Sequence, residues 1–399
     1  MRAKEFRTKT IYKKRKHLSS EDFWVLGMDI GYSGDKGFCP NSYFCIPSYA
    51  QKLTGPRIVT DPEPEEILFK DNITGELWLV GAIAQNNISM EDTKNSEGSL
   101  YGRNRYFDPM FKVIASVGMG LGLTPNEIGS PEGKEIYLQT GLPPAYLKSD
   151  EKILRKALSG TYDFSMKFGK ADWREYKFEL PPERIEIMSQ PKGTLYSICV
   201  DADGKLIPEA KLFMKKNTLI FDPGFGTLDI FPIIGGTLQE TQTFENLGMR
   251  EILKRTADRI YEKYDVEVRI PQMQKLLEEE KIRYTDIVEM KTDFYTFDEL
   301  LEMSSREVCM EALERTKQLY NYFKEIDFFV NTGGTGAAWH NYICEHLKGM
   351  TTPATPGGQA ALTIVKGNKN DEIDPIFANA RGYYFTLVQK LMTQKKQEK

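Results

Sequence analysis

The sequence has few histidines, and its cysteines are widely scattered. Its 399 residues include only three histidines and five cysteines. No Cys-Xaa-Xaa-Cys pair occurs, and no histidine clusters with a cysteine. Because zinc sites and disulfide frameworks need paired or clustered ligands, the pattern argues against both. Free, dispersed cysteines fit a reducing compartment, so we expect a cytoplasmic protein.

Long apolar runs and an excess of positive charge are also lacking. No run reaches the length of a membrane-spanning helix, and the N-terminus lacks the apolar core of a signal peptide. The formal net charge of −4 gives no general argument for nucleic-acid binding. A content of 40% hydrophobic and 28% charged residues is typical of a soluble globular chain. The length suits one large or two medium domains.

A glycine-containing turn between two apolar runs stands near the middle of the chain, at Leu219–Ile230 (LIFDPGFGTLDI). Asp222 ends the first run, and the turn then comprises Pro223, Gly224, Phe225, Gly226 and Thr227. The pattern predicts two strands joined by a tight turn. Glycines allow backbone N–H groups to approach a bound anion, and a carboxylate at a strand end can hold hydrated Mg²⁺. The alternative is an ordinary hairpin whose aspartate opens the turn.

A second copy of this pattern lies near the N-terminus, in WVLGMDIGYSGDKGF (Trp24–Phe38). Asp29 ends the strand, Lys36 follows seven residues later, and the turn between them begins with Gly31, Tyr32 and Ser33. Two such hairpins on either side of a cleft can bind a polyphosphate through their amides and hold a metal's water shell through their carboxylates. Lys36 would then add positive charge at the β- and γ-phosphates; a solvated turn lysine is the alternative. The duplication predicts two related α/β halves.

A third glycine cluster follows an apolar strand and opens a helix, in NTGGTGAAWH. Its Gly333, Gly334 and Thr335 would let a base or ribose lie against the backbone, and a helix N-terminus favours phosphate. A simple strand-to-helix turn is the alternative. Upstream of this cluster, apolar spacing predicts helices over Asn246–Tyr264 and Pro271–Met290.

Together these motifs resemble those of the actin-type ATPase superfamily. DIGYSGDKGF, DPGFGTLDI and NTGGTGAAW occur in the order of its phosphate-1, phosphate-2 and adenosine motifs. IYLQTGLPP and NARGYYFTL resemble its connecting segments, where Ala380 and Gly382 would let two helices cross closely. IPS, LVGAIA and a short second domain most resemble the ParM-type plasmid-segregating actins. The resemblance implies an α/β, duplicated, ribonuclease H-like fold with two domains flanking a nucleotide cleft.

The resemblance also implies roles for individual residues. It places Asp29 and Asp222 at Mg²⁺, and Lys36 at the phosphates. ATP is the expected nucleotide, with GTP as the alternative. The remaining nucleotide contacts would come from Gly31, Tyr32, Ser33, Gly224, Phe225, Gly226, Thr227, Gly333, Gly334 and Thr335.

Gln190 matches the glutamine that positions the attacking water in eukaryotic actin. Plasmid actins often carry glutamate at or near this point, which leaves the base open. Glutamine is a poor general base, but it can orient a water while Asp222 or solvent accepts the proton. The catalytic residues expected are therefore Gln190 and Asp222, and hydrolysis should be slow.

The predicted domains are a basic, flexible extension at 1–22, domain I at 23–216 plus 365–399, and domain II at 217–364. The predicted function is a filament-forming ATPase that polymerises with Mg-ATP, disassembles after hydrolysis, and segregates plasmid DNA through a ParR-like adaptor. No direct contact with nucleic acid and no membrane partner are expected. The alternatives are a non-segregating scaffold or phage actin, and a monomeric ATPase or sugar kinase of the same superfamily. A kinase would need an acid poised to deprotonate a substrate hydroxyl.

Overall fold

The chain folds into two compact units. A computed structural model describes residues 6–55, 63–87, 103–353 and 360–398. The N-terminal unit comprises Thr8–Ile207 and Asn370–Lys399, and the central unit comprises Met1–Arg7 and Pro208–Lys369. Both boundaries of the central unit lie a few residues outside the predicted 217–364. No helix in the described ranges is long and apolar enough to cross a membrane.

The described residues form mixed α/β structure. The strands are β1 (Ile11–Lys14), β2 (Phe23–Ile30), β3 (Gly34–Cys39), β4 (Ser42–Pro47), β5 (Ala50–Lys52), β6 (Ile67–Asp71), β7 (Leu77–Val80), β8 (Glu135–Leu142), β9 (Gly160–Phe168), β10 (Arg174–Leu180), β11 (Ile185–Ser189), β12 (Thr218–Pro223), β13 (Thr227–Ile234), β14 (Thr237–Leu238), β15 (Gln242–Glu245), β16 (Ile282–Asp286), β17 (Lys291–Tyr295), β18 (Phe328–Asn331) and β19 (Thr363–Lys366). The helices are α1 (Ala82–Asn86), α2 (Pro109–Gly122), α3 (Leu147–Leu158), α4 (Gln190–Cys199), α5 (Ala210–Lys215), α6 (Met249–Tyr264), α7 (Ile270–Glu279), α8 (Asp298–Leu319), α9 (Gly333–His346), α10 (Lys348–Thr351) and α11 (Ala378–Glu398).

The main sheet of the N-terminal unit has the order β1-β4-β3-β2-β8-β11. β2 is buried at every position because both of its faces are covered. Trp24, Leu26 and Met28 point into the core that includes α2, whereas Phe23 and Val25 point into the core that includes α11. This alternation puts neighbouring residues of β2 and β3 on opposite faces. A second sheet in the same unit has the order β10-β9-β6-β7-β5.

Part of the predicted N-terminal extension is a strand of the main sheet. Ile11–Lys14 pairs antiparallel with β4, which would otherwise be an open sheet edge. His17 is buried, its Nδ1 lies 2.6 Å from the Cys39 carbonyl oxygen, and burial lowers the pKa of His17 to about 4. Arg15 lies 2.5 Å from Asp371. Residues 8–20 of the predicted extension at 1–22 therefore pack on the N-terminal unit, and its residues 1–5 lie outside the described residues.

Two glycines allow α4 and α11 to cross closely. A Cβ atom on Gly382 would lie 1.8 Å from the carbonyl oxygen of Gly193, so neither helix could stay in place with a larger residue there. The sequence predicted close helix crossing at Ala380 and Gly382. This contact fixes α4, whose first residue is Gln190, against the C-terminal helix.

The central unit has a sheet of order β14-β13-β12-β18-β19, with β15 paired to β13. β12 is buried at all six positions. The helix predicted over Pro271–Met290 is correct only for its first half. Glu280 takes a left-handed conformation that ends α7, and β16 and β17 then form a separate hairpin. The β-branched and aromatic residues of Ile282–Asp286 explain this change.

Candidate functional site

Asp29 and Lys36 form a cross-strand ion pair in the N-terminal unit. They occupy the same register position of β2 and β3, so their side chains share one face of the sheet. Lys36 Nζ lies 3.2 Å from Asp29 Oδ2. Asp29 is only 6% exposed, so this carboxylate has lost most of its water. The ion pair offsets part of that desolvation cost.

Gln190 lies beside the same carboxylate. It is the first residue of α4 rather than part of a strand-to-turn segment, because β11 ends at Ser189. Its Nε2 donates to Asp29 Oδ1 at 3.3 Å. The structure thus brings Asp29, Lys36 and Gln190 together, with one partner on each carboxylate oxygen.

The turn after Asp29 is closed by its own backbone. The Gly31 N–H donates to the carbonyl oxygens of Asp29 at 2.9 Å and Gly34 at 3.0 Å. Ser48 Oγ donates to the Gly31 carbonyl oxygen at 2.8 Å, and the Ser48 N–H donates to the Ser33 carbonyl oxygen at 3.0 Å. A Cβ on Gly31 would lie 2.9 Å from the Gly34 carbonyl oxygen. The Gly31 N–H is therefore used inside the turn, and a phosphate bound to it would have to displace these bonds.

Arg105 covers Tyr32 of the same turn. Its guanidinium carbon lies 4.4 Å from the centre of the Tyr32 ring, and the guanidinium also donates to the Ile30 carbonyl oxygen. A cation over an aromatic face is attractive and fixes the ring. Nothing in the sequence indicated Arg105, which precedes α2 and belongs to no recognised motif.

Asp35 lies on the opposite face of β3 and is fully buried. Neither of its carboxyl oxygens has a hydrogen-bond partner among the described residues. Burial raises the pKa of Asp35 well above its usual 3.8; nearby Lys36 opposes that rise and Asp29 adds to it. Asp35 occupies the space over Gly118 of α2, where a Cβ would lie 2.0 Å from its Oδ2. Burial therefore favours the protonated form of the Asp35 carboxyl.

The second turn, in the central unit, sets two acids opposite each other. Asp222 of β12 and Asp229 of β13 are in register, and both are buried. Thr243 Oγ1 donates to Asp229 Oδ1 at 2.7 Å, and Thr227 Oγ1 lies 3.4 Å from Asp229 Oδ2. No role was predicted for Asp229 from the sequence, although it follows Asp222 at the spacing that separates Lys36 from Asp29.

Two helices hold the turn after Asp222 from one side. The Gly224 carbonyl oxygen accepts from the Met249 N–H at 3.1 Å and from Thr335 Oγ1 at 2.8 Å. The Phe225 carbonyl oxygen accepts from the Arg250 N–H at 2.8 Å. The N-terminal ends of α6 and α9 therefore meet at this turn. The Gly224 N–H donates to the Thr227 carbonyl oxygen at 2.8 Å, so it too is used inside its turn, and Gly226 and Thr227 are half-buried.

The third glycine cluster lies directly against Asp222. Gly333 has a φ of 75°, which favours glycine, and a Cβ there would lie 2.8 Å from Asp222 Oδ1. Thr335 is buried, whereas Gly334 is exposed. Asp222, Gly224, Gly333 and Thr335 are thus neighbours within the central unit, as the predicted phosphate-2 and adenosine motifs require.

The carboxylates fit a magnesium ion that keeps most of its water. The described residues contain no group of three or more His, Cys, Asp or Glu side chains arranged to hold a metal. Mg²⁺ usually binds one or two carboxylates together with waters and substrate phosphates. Asp222 and Asp229 supply two buried carboxylates in register within the central unit.

Comparison with known proteins identifies the fold. Residues 27–193 match the family described as actin like proteins N terminal domain. No match was found among curated protein sequences.

Three solved structures illustrate the similarity. The chain is similar to a non-polymerisable quadruple mutant of pCBH ParM at 20% identity and a TM-score of 0.68, covering 92% of this chain and 100% of that one. It is similar to a 15-stranded ParM filament from Clostridium botulinum at 17% identity and a TM-score of 0.65, covering 92% and 99%. It is also similar to the archaeal actin homolog Ta0583 in complex with ADP at 14% identity and a TM-score of 0.60, covering 92% and 99%. The chain therefore has the actin-like fold, and its residues 27–193 match the family of actin-like N-terminal domains.

Proposed function

We propose that this protein is a filament-forming actin-like ATPase. The observation that carries the proposal is the presence, in each unit, of a buried aspartate at the end of a strand beside a glycine turn. In the N-terminal unit, Lys36 and Gln190 contact that aspartate at 3.2 and 3.3 Å. In the central unit, Gly333 and the turn at Gly224 adjoin it. This set of groups suits a nucleotide polyphosphate with a hydrated magnesium ion.

Each group has a defined part in the proposed hydrolysis. Asp222 and Asp29 would hold a Mg²⁺ ion through its bound waters, and the ion would supply positive charge to the phosphates of the nucleotide. Lys36 supplies a positive charge to the same phosphates. A bound phosphate therefore competes with Asp29 for the Lys36 ammonium group. Gln190 orients the attacking water and, as a weak base, leaves its proton to Asp222 or solvent. These roles predict slow turnover. Slow hydrolysis suits a polymer whose lifetime is set by the hydrolysis of its bound nucleotide.

The assembly is proposed by likeness to the structures found. The 15-stranded ParM structure is described as a filament, and so is that of Alp12, with a TM-score of 0.54 to this chain. Filament growth needs a contact between two different surfaces of the subunit, because such a contact repeats without closing. We further propose a cytoplasmic role in plasmid segregation, in which a ParR-like adaptor binds the DNA. The net charge of −4 agrees with an indirect contact between this chain and DNA.

Pelleting and light scattering test the proposal. With ATP and Mg²⁺ the protein should scatter light, pellet, and show filaments by electron microscopy, and ADP or EDTA should reduce the pellet. GTP in place of ATP tests the nucleotide. A protein that stays monomeric across salt concentrations and temperatures would contradict the filament proposal. Nucleotide binding without assembly would favour a monomeric ATPase.

A second experiment tests segregation. A gene for a small DNA-binding protein beside this one, next to an array of direct repeats, is the expected arrangement. Adding that adaptor and its repeat DNA should nucleate filaments of this chain, which a lag-time measurement detects. Filaments that ignore the adaptor would favour a scaffold.

A further inference from the structure

Exposed apolar side chains concentrate at one place in the central unit, the turn of the β16–β17 hairpin. Ile287, Val288 and Met290 are 82%, 89% and 81% exposed. We call these three residues the apolar tip. Single exposed apolar residues are ordinary, but a contiguous group marks an interaction surface.

The hairpin holds the apolar tip in a defined conformation. Asp286 Oδ1 accepts the N–H groups of Val288 at 2.8 Å and Glu289 at 3.0 Å. At the base, Ile282 is buried and the Tyr295 ring stacks on Tyr264 with centres 4.6 Å apart. The backbone that carries the tip is thus ordered before any partner binds, which lowers the entropy cost of binding.

An open cavity of about 800 Å³ lies in the N-terminal unit and is lined by both apolar and charged side chains. Its buried lining includes Leu121, Met166 and Tyr176, and Tyr12 contributes a half-buried ring. Trp173, in the turn between β9 and β10, lies at the rim and is 45% exposed. We call it the Trp173 cavity. Its volume falls in the range of ligand pockets, so it is large enough for several aliphatic side chains.

Charges around the two surfaces are complementary. Glu289 is exposed beside the apolar tip, and Arg174 is exposed at the rim of the Trp173 cavity. Within the described residues neither forms an ion pair. Arg283 is exposed on β16, and Asp172 and Glu175 are exposed at the rim. Each surface therefore offers charge of the sign that the other can pair with.

We propose that the apolar tip of one copy of this chain inserts into the Trp173 cavity of the next copy. Every copy carries both surfaces, and the two surfaces differ, so the contact repeats from copy to copy without closing. An apolar projection and a complementary pocket on one molecule form this type of open assembly. The inference rests on the proposed function, since it assigns one contact of the proposed filament.

Replacing apolar side chains on each surface tests the contact. Val288→Asp should raise the critical concentration for ATP-dependent pelleting about tenfold or more, because it places a charge in an apolar contact. Trp173→Asp should do the same. Ile73→Asp is the matched control: Ile73 is 74% exposed at the turn of the β6–β7 hairpin, and its replacement should leave the critical concentration within about twofold. Circular dichroism and nucleotide binding check that each variant folds.

Mixing the two variants gives a sharper result. Val288→Asp retains an intact cavity and Trp173→Asp retains an intact tip, so the mixture should form one-to-one dimers in analytical ultracentrifugation while each variant alone stays monomeric. Glu289→Arg and Arg174→Glu should each weaken pelleting, and the double variant should recover it.

Several outcomes would overturn the inference while leaving the proposed function intact. One is a Val288→Asp variant that polymerises at the same critical concentration as the wild-type chain. Another is equal loss with Ile73→Asp, which would show no specificity for the tip. Binding of wild type, but not Val288→Asp, to phosphatidylcholine vesicles with unchanged polymerisation would assign the tip to a membrane. A wild-type chain that never polymerises contradicts the proposed function, and this inference falls with it.

Discussion

The two glycine-turn hairpins share a backbone plan but differ in charge. In β2–β3, Asp29 faces Lys36; at the same place in β12–β13, Asp222 faces Asp229. Opposite charges in register stabilise a strand pair, and like charges in register destabilise it. The first hairpin therefore neutralises its own aspartate, whereas the second sets two acids opposite each other, and Thr243 donates a hydrogen bond to one of them.

The charge difference between the two hairpins indicates which of them favours a bound cation. Two buried carboxylates in register favour a bound cation, because taking charge out of water is costly unless it is compensated. The second hairpin is thus the stronger candidate for the magnesium site. The first hairpin, with Lys36 and Gln190 around Asp29, is better suited to contact phosphate and water.

The largest effect is expected from Asp222→Ala. It removes one of the two facing carboxylates, and ATP hydrolysis should fall by about a hundredfold or more. Stability should not fall in parallel, because a like-charge pair is also removed. Turnover is measured by phosphate release and stability by thermal unfolding. Asp258→Ala, at an exposed aspartate of the same unit, is the control. Unchanged turnover would reduce the second hairpin to a structural turn.

Gln190→Ala tests whether the first hairpin handles the attacking water. Loss of the orienting amide should lower kcat by about tenfold to a hundredfold, while nucleotide affinity stays within about threefold. Phosphate release and a fluorescent-nucleotide titration separate the two quantities. Gln239→Ala, at an exposed glutamine, should leave both unchanged. Equal rates for wild type and Gln190→Ala would remove Gln190 from the mechanism.

The spacing of the motifs was enough to predict where the two hairpins lie and which residue faces Asp29. Strand, acid and glycine turn form a local pattern, so the two hairpins could be located in the sequence. A separation of seven positions between Asp29 and Lys36 suits two strands and a tight turn, and the two side chains do face each other. The actin-like fold also followed from the order of three such motifs, and the structural comparisons confirm it.

What the sequence could not predict depends on contacts between distant segments. Ile11–Lys14 lies in a basic stretch that resembles a solvated arm, and only the open edge of β4 makes it a strand. Gln190 reaches Asp29 across 161 positions of the chain. The burial of Asp35 against Gly118 is likewise indicated by no local pattern. The seven-residue spacing could have indicated Asp229 in the sequence. That it lies buried opposite Asp222 follows only from the register of the two strands.

Lys36→Met would make the first hairpin lose its own counter-charge. Nucleotide affinity should fall about tenfold, because a charge-assisted contact to phosphate is lost. The affinity should also become less sensitive to salt. Isothermal titration at two ionic strengths measures both effects. Lys52→Met, which breaks an exposed ion pair with Glu76, is the control. An unchanged affinity would assign Lys36 to the stability of the hairpin alone.

The smallest effect concerns the next register position, where the hairpins differ again. Asp35 is opposite Ile30 in the first hairpin, and Leu228 is opposite Pro223 in the second, and both Asp35 and Leu228 are fully buried. Asp35→Leu copies the second hairpin into the first with a side chain of similar shape. At pH 8 it should stabilise the protein by about 1 kcal/mol, or about 2–4 °C in Tm, because an unpartnered buried carboxyl is removed.

The pH dependence of the protein's stability tests whether burial raises the pKa of Asp35. Burial raises the pKa of folded Asp35 above 3.8, so the folded chain holds a proton that the unfolded chain releases. Wild-type stability should therefore decline as pH rises from about 4 toward the raised pKa, and the leucine variant should lack this component. The Tm difference between the two should grow from pH 5 to pH 8, as thermal scans at fixed rate can show. A Tm difference that is constant with pH would mean that Asp35 ionises in the folded chain as readily as in the unfolded one. The two hairpins would then differ at this position only in the shape of the side chain.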